Sequence, residues 1–291
     1  MDITFSCPIC NNDAWLPIGL HYYWRAEHQI NGNWYSDQYV RKCRRVLFEI
    51  WFPNADLVTL KSRQCTTCEL VCYYPRPDSD DLEAKYHFMN EIKGIGPREA
   101  ALELDNDRAV RVYEIVNSFQ KHPFRVLDVG GGDGRLMLPF LAHGSDCFLV
   151  DYANWTQQGI LRLGSTLADV PQAMTFEVVI CSHILEHVAY PRSLLEEVSR
   201  VLRDDGVLYI EVPREVFYNN AWNPIIAEPV THINFFTALT LQYLLLKSGY
   251  QPNFLEECAG TYEGRPLPII RAVATKICYL VEPETPKLEG A

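Results

Sequence analysis

Two groupings of residues have the types and spacing to do chemistry. The first is the run VLDVGGGDG at 126–134, where Gly130, Gly132 and Gly134 recur at every second position after a strand that ends at Asp128. Glycines reach positive φ and let the backbone approach a ligand closely. Asp151 closes the next apolar run, 17 residues after Gly134, where a carboxylate can accept hydrogen bonds from both hydroxyls of a ribose. A carboxylate is rarely buried unpaired, so packing explains Asp151 poorly. A tight strand-to-helix turn would explain the glycines alone, but the four residues together read as a nucleoside site.

The second grouping is cysteine. Cys7 and Cys10 form CPIC, and Cys65 and Cys68 form CTTC, with 54 residues between the pairs. Each pair can offer two thiolates to one ion, and four thiolates make a closed, structural zinc site. Such a site has no open coordination position, so the chemistry should lie elsewhere. Cys43 and Cys72 are spare thiols that could replace a ligand, and buried or redox-active thiols are the alternative to metal.

These residues need elements to position them. Apolar runs at 124–130, 147–151, 176–182 and 206–213 read as buried parallel strands, and the stretch 193–203 between the last two reads as a helix. Apolar residues at helical spacing over 97–121 and 239–250 predict two more helices. Two late strands, around 253–259 and 269–277, fit a hairpin at a sheet edge. The sum is an α/β class, a Rossmann-like, doubly wound and mostly parallel sheet. The character of the sequence changes near the turn-forming segment YYPRPDSDD. That places a small zinc-binding domain at 1–80, the main domain at 81–280 and a frayed tail at 281–291.

Composition narrows the function. With 48% hydrophobic and 22% charged residues the chain is globular. It shows no run of about 20 apolar residues and no secretory leader, so it is expected in the cytoplasm without a membrane partner. In that reducing compartment ten cysteines are unsuited to a disulfide framework. The net charge is −11, of which residues 1–80 carry −1 and the remainder −10. Nucleic acid is therefore a poor partner, since only Arg41, Lys42, Arg44 and Arg45 offer a positive cluster, and a solvated face explains them as well.

The loop has the form D-x-G-x-G-x-G, not the dinucleotide G-x-G-x-x-G, and so resembles motif I of the class I S-adenosylmethionine (SAM)-dependent methyltransferases. The stretch 176–213, with LEHV at 185–188, is similar to their fourth strand, helix and fifth strand. The resemblance spans roughly residues 100–280. It implies SAM as cofactor, held by Asp128, Gly130, Gly132, Gly134, Asp151, Tyr152, Leu167 and Ser182. It also puts Cys181, Ser182 and His183 close to the methyl donor. Only about ten residues separate Asp151 from LGSTLADV, which implies a very short helix there and leaves Thr166, Leu167 and Ala168 as candidates for adenine.

CTTCELV ahead of a SAM domain resembles the zinc module of the bacterial sugar C-methyltransferases and their shorter relatives in glycan and natural-product clusters. Full-length members carry a further C-terminal domain that this length does not accommodate, so the short relatives are the better comparison. EPVTHINFFT at 228–237 is similar to the group's E-H-x-x-Y-F-S signature, with His232 at the acceptor. Thr231 stands where glutamate is usual, and Glu228 could substitute for it. Imidazole suits proton removal near neutral pH, although His232 could instead cap the helix beginning near Thr237. His183 is a second catalytic candidate, and His187 has the more structural reading.

The expected activity is methyl transfer to a small polar acceptor such as a sugar, a nucleotide-linked sugar or a natural-product precursor. The acceptor would lie between the strand ends and the aromatic segment 20–35 of the N-terminal module, unless those rings only form a core. An RNA methyltransferase with a zinc ribbon and a non-catalytic SAM-binding protein are the alternatives. The oligomeric state is not legible.

Overall fold

A computed structural model of the chain describes residues 5–26, 43–91, 99–121, 124–153, 155–214, 232–262 and 265–277. The N-terminal part is an antiparallel sheet of β1 (Trp15–Trp24), β2 (Leu57–Cys65) and β3 (Val71–Tyr74). A short wide-turned helix, Val46–Trp51, precedes β2 and buries Val46, Leu47 and Phe48 against Tyr23, Val58, Leu60 and Tyr73. Cys43 lies in this same small core. The segment read as a linker instead starts a helix, α1 (Ser79–Glu91), and α2 (Glu99–Phe119) follows it.

The main domain is one seven-stranded sheet. Its strands are β4 (Arg125–Val129), β5 (Asp146–Val150), β6 (Ile160–Gly164), β7 (Phe176–Ser182) and β8 (Leu202–Pro213). After β9 (Asn234–Phe235), which belongs to the other sheet, come β10 (Tyr250–Tyr262) and β11 (Arg265–Lys276). The order is β10-β11-β8-β7-β4-β5-β6. The five strands from β8 to β6 are parallel, and β11 and β10 add an antiparallel hairpin at the edge. The chain runs outward from β4 through β5 to β6, then returns to β7 on the other side of β4. That reversal opens a crevice beyond the carboxyl ends of β4 and β7, where ligands bind in open α/β sheets.

Helices cover both faces because parallel strands bury both of theirs. In α2, Ala109, Val112 and Val116 fall on one stripe and pack with Phe124, Val126 and Phe140. After the short α3 (Leu138–Ala142), α4 (Pro191–Val201) starts on Pro191 at its first position and buries Leu195, Val198 and Val201 at helical spacing. Each such side chain contributes about 1.5–3 kcal/mol when fully buried. Last comes α5 (Ala238–Lys247), capped by Thr237, whose hydroxyl accepts from the Thr240 amide at 3.2 Å.

Two further features depart from the sequence reading. The very short helix expected after Asp151 is a stretch of turns among the described residues, and it leads into a strand, β6, that the apolar runs did not reveal. Arg162 within β6 interrupts the apolar pattern, and its guanidinium is used to hold the Asp151 carbonyl oxygen at 2.7 Å. The second departure concerns β9, which pairs with β3 through Val71 and Phe235. The N-terminal sheet therefore takes its fourth strand from residues far along the chain. No helix among the described residues is long and apolar enough to cross a membrane.

Candidate active site

The glycine loop sits at the carboxyl end of β4. Gly130, Gly132 and Gly134 have φ of 71°, 61° and 82°, a region in which a side chain is strained. A Cβ on Gly131 would fall 2.1 Å from Asp128 Oδ2, so the Asp128 carboxylate lies directly against the loop. A Cβ on Gly132 would meet nothing within 4 Å, so that side of the loop is open. Asp151 closes the other side: its Oδ2 accepts from the Gly132 amide at 2.9 Å and its Oδ1 from the Ala153 amide at 2.6 Å. Tyr152 stacks on Tyr86 of α1, with ring centroids 5.4 Å apart. Leu167 is buried in the turn Leu167–Asp169, which is capped by Thr166 and Asp169.

Asp128 is fully buried and neither carboxylate oxygen has a hydrogen-bond partner. Burial raises its pKa, Arg108 pulls it down, and Asp151 and Asp133 push it up again, to about 7. An orphaned acid under an open glycine loop suits a ligand that brings positive charge. SAM, with its ammonium and sulfonium, fits that requirement, while Asp151 and the bare backbone at Gly132 fit its nucleoside.

Beyond β7 the structure gathers a buried ionic network. Glu211 accepts from Arg108 at 2.7 Å, Arg271 at 2.8 Å and the Tyr209 hydroxyl at 2.9 Å. Burial would raise the Glu211 pKa, but the Arg108 charge and the bond from His183 hold it well below the usual range. Ser182 accepts from Arg108. His183 has both ring nitrogens engaged, one 3.1 Å from Glu186 Oε1 and the other 3.2 Å from Glu211 Oε1. Its backbone is left-handed, with φ of 54°, and its amide donates to the Glu211 carbonyl. This geometry makes His183 an anchor for the turn that follows and leaves its ring no free nitrogen for a substrate.

That turn joins two regions. Ile184 lies against Gly130, since a Cβ there would come within 2.8 Å of it. Two residues on, Glu186 is fully buried, and burial would raise its pKa, yet His187 and His183 hold it at about 2. The His187 and His232 rings are 4.9 Å apart. His232 does not cap α5, whose cap is Thr237. Glu228 lies outside the described residues.

The four cysteines also converge. Cys7 Sγ lies 3.5 Å from Cys68 Sγ and Cys10 Sγ 3.4 Å from Cys65 Sγ, with all four sulfurs within 4.8 Å of one another. Four thiolates around zinc at about 2.3 Å would be about 3.8 Å apart, so these separations fit. The two pairs are built alike: Asn11 and Glu69, each directly after the second cysteine, both have φ of 60°. The hydrogen bond with Cys68 lowers the Cys7 pKa to about 5, and the same bond, with burial, raises that of Cys68. Such thiols cannot all ionise without a cation. Cys43 and Cys72 stand outside the cluster, and burial pushes the Cys72 thiol up to about 12.

Glu186, Glu211 and Arg108 were missed as site residues in the sequence. The signal was clearest at Glu211, a single charge inside the apolar run GVLYIEVP, where an unpaired charge is costly, whereas Arg108 follows the polar stretch Asp105–Asp107 and carried none. Arg108 and Glu211 are also distant partners, standing 103 positions apart.

The comparisons with known proteins agree with this fold. Over 130 residues, 40% of this chain, it is 24% identical to a ubiquinone biosynthesis O-methyltransferase of Rickettsia akari, and the match spans about half (52%) of that relative. The fold is shared with a 1,6-didemethyltoxoflavin-N1-methyltransferase of Burkholderia thailandensis, solved with 1,6-didemethyltoxoflavin and S-adenosylhomocysteine bound. The TM-score is 0.50 and the identity 18%, over 73% of this chain and 98% of that one. A SAM-dependent methyltransferase of Methanosarcina mazei aligns with 57% of this chain and 98% of its own, at 16% identity and a TM-score of 0.46. The family model for the methyltransferase domain matches residues 97–253, just over half of the chain, and so the chain belongs to the methyltransferase-domain family.

Proposed function

We propose that this methyltransferase moves a methyl group from SAM to a small polar acceptor, such as a sugar, a nucleotide-linked sugar or a natural-product precursor. The carrying observation is the turn after β7, which sets Ile184 against the cofactor loop at Gly130 and, two and three residues later, Glu186 and His187 beside His232. When bound, SAM supplies an electrophilic methyl on a sulfonium.

The chain's part is to align and to move one proton. Gly130, Gly132 and Asp151 hold the nucleoside, Asp128 faces the positive end, and Ser182 with His183 fixes the end of β7. Alignment alone can supply about 7–11 kcal/mol. The acceptor's proton leaves toward the cluster of Glu186, His187 and His232. Zinc at Cys7, Cys10, Cys65 and Cys68 would brace the N-terminal sheet, which carries β9 and so the segment holding His232. In that sheet Tyr23 belongs to the core, whereas Tyr22 and Trp24 are exposed. The acidic surface, with its net charge of −11, supports a small-molecule acceptor over nucleic acid and fits a cytoplasmic enzyme.

The test is a methyl-transfer screen. Of the three relatives named above one is an O-methyltransferase and another an N1-methyltransferase, so the panel spans nucleotide sugars, phenols and heterocycles, with structured RNA as the contrast. Turnover on a small molecule, lost in His232→Ala, is the expected result. Transfer to RNA alone would refute the reading. Calorimetry with S-adenosylhomocysteine should show Asp151→Ala weakened by about 1.5–3 kcal/mol, the worth of hydrogen bonds to a charged group.

A further inference from the structure

Glu186 presents an unusual arrangement for a buried carboxylate. Its Oε1 is 3.1 Å from His183 Nδ1 and 3.8 Å from His187 Nε2, while its Oε2 is buried with no hydrogen-bond partner. A buried, unpartnered charged oxygen is costly unless a ligand completes it. Two imidazoles stand beside it, and one ligand atom from each of Glu186, His187 and His232 lies within 4.8 Å of the others. Lys85 also feels the Glu186 charge, but burial lowers its pKa to about 8, so its positive charge is itself strained.

We propose that Glu186, His187 and His232 bind one divalent transition-metal ion, leaving coordination positions open for an oxygen ligand of the acceptor. Two imidazoles and one carboxylate are an established donor set for zinc and for non-haem iron(II), and three protein ligands leave room for an exogenous one. At tetrahedral angles, bonds of about 2.0–2.2 Å put ligand atoms about 3.3–3.6 Å apart. The cluster, whose ligand atoms lie within 4.8 Å of one another, must therefore contract by about 1 Å. His187 and His232 are only partly buried and can supply this by side-chain rotation. The Glu186 oxygen facing His183 is already fixed, and such a bond orients a ligating carboxylate. The backbone is pinned as well, since the amides of Ile233 and Asn234 both donate to the Glu186 carbonyl.

The site differs from the four-cysteine cluster in position and chemistry, and its metal binding does not depend on methyl transfer. Only its place beside the acceptor rests on the proposed function.

Cobalt(II) is the probe. The full-length protein, expressed in zinc-depleted medium supplemented with cobalt(II) and then titrated with further cobalt(II), should hold one equivalent at the cysteines, with intense thiolate absorption. It should bind a second equivalent that adds only weak ligand-field bands. In His187→Gln and in His232→Asn the second equivalent should be lost or bound at least tenfold more weakly, with the thiolate bands unchanged. Glu186→Gln also loses a partner of His183 and so disturbs the fold, which leaves the two histidine variants to decide the matter, with S-adenosylhomocysteine binding as the control for folding. Equal second-site affinity in wild type and both variants overturns the site, as does a wild type with no second equivalent. A lost second equivalent without methyl transfer on any acceptor leaves the metal site standing and counts against the proposed function alone.

Discussion

The amide of Ile233 donates to the carbonyl oxygen of Glu186 at 2.9 Å, which ties the segment bearing His232 to the turn bearing His187. One residue later the chain enters β9 and pairs with the N-terminal sheet. The cofactor loop, the histidine pair and the cysteine sheet are thus joined within a few residues. The knuckles themselves pack on α5, where the Thr240 hydroxyl donates to the Cys68 carbonyl at 3.1 Å. Substitutions in the N-terminal module are therefore expected to reach the acceptor side before the cofactor side.

Arg76 gives the sharpest case. Its buried guanidinium donates to the carbonyls of Val188, Ala189 and Ile233 and to Asn234 Oδ1, at 2.6–3.2 Å. Arg76→Met strands these acceptors and should destabilise the protein by roughly 3 kcal/mol in urea unfolding. Arg76→Lys, a single point donor, should recover only part of that. Affinity for S-adenosylhomocysteine should stay within about twofold, because none of these bonds touches the glycine loop. Loss of cofactor binding with stability intact would contradict the placement.

For Asp128 the expectation is a pH dependence. The unfolded chain releases this proton near pH 3.8, whereas burial holds it in the cofactor-free fold to about pH 7. Between those values the folded state carries one more proton, so its stability falls as the pH rises. The loss across the window is on the order of 4 kcal/mol. Asp128→Asn should flatten that decline, and saturating SAM should reduce it in the wild type by supplying a positive partner. Parallel stability profiles for wild type and variant would dismiss the assignment.

How much of this was legible depended on distance along the chain. The glycine loop and the two C-x-x-C pairs announce themselves within a few residues, because their geometry is local. Strand β6 was hidden since Arg162 breaks its apolar run in order to bind a backbone carbonyl. Strand β9 has two residues, too few for any periodicity, and its partner β3 lies more than 150 positions earlier. The roles of His183 and Glu211 emerge only when β7, β8, α2 and β11 come together, because Glu211 is answered by Arg108, Arg271 and His183 from other elements, whereas Glu186 meets His183 and His187 within its own turn.

Zinc should behave as part of the fold. Cys65→Ser removes one thiolate of the cluster, and metal affinity contributes directly to folding of such a module. Metal analysis should fall by one zinc per chain, and the thermal midpoint of the N-terminal module should drop. Acidification should also release the metal, since protons compete for thiolates. Because this module carries β9, methyl transfer should fall further than cofactor affinity. Metal-free protein of unchanged stability would rule out the structural role.

Gly132 separates folding from cofactor binding. Its φ of 61° disfavours any side chain, so Gly132→Ala should cost about 1–2 kcal/mol of stability. Yet the added methyl would meet no protein atom within 4 Å, so the variant should fold. The space it enters is the open side of the loop, beside the amide that donates to Asp151, where the nucleoside is proposed to lie. S-adenosylhomocysteine affinity should therefore drop by more than tenfold, well beyond what the lost stability explains. Gly131→Ala is the opposite case, because its methyl would strike the Asp128 carboxylate and damage the fold itself. If calorimetry found Gly132→Ala binding the cofactor as tightly as wild type, the open side of this loop would not be the cofactor site.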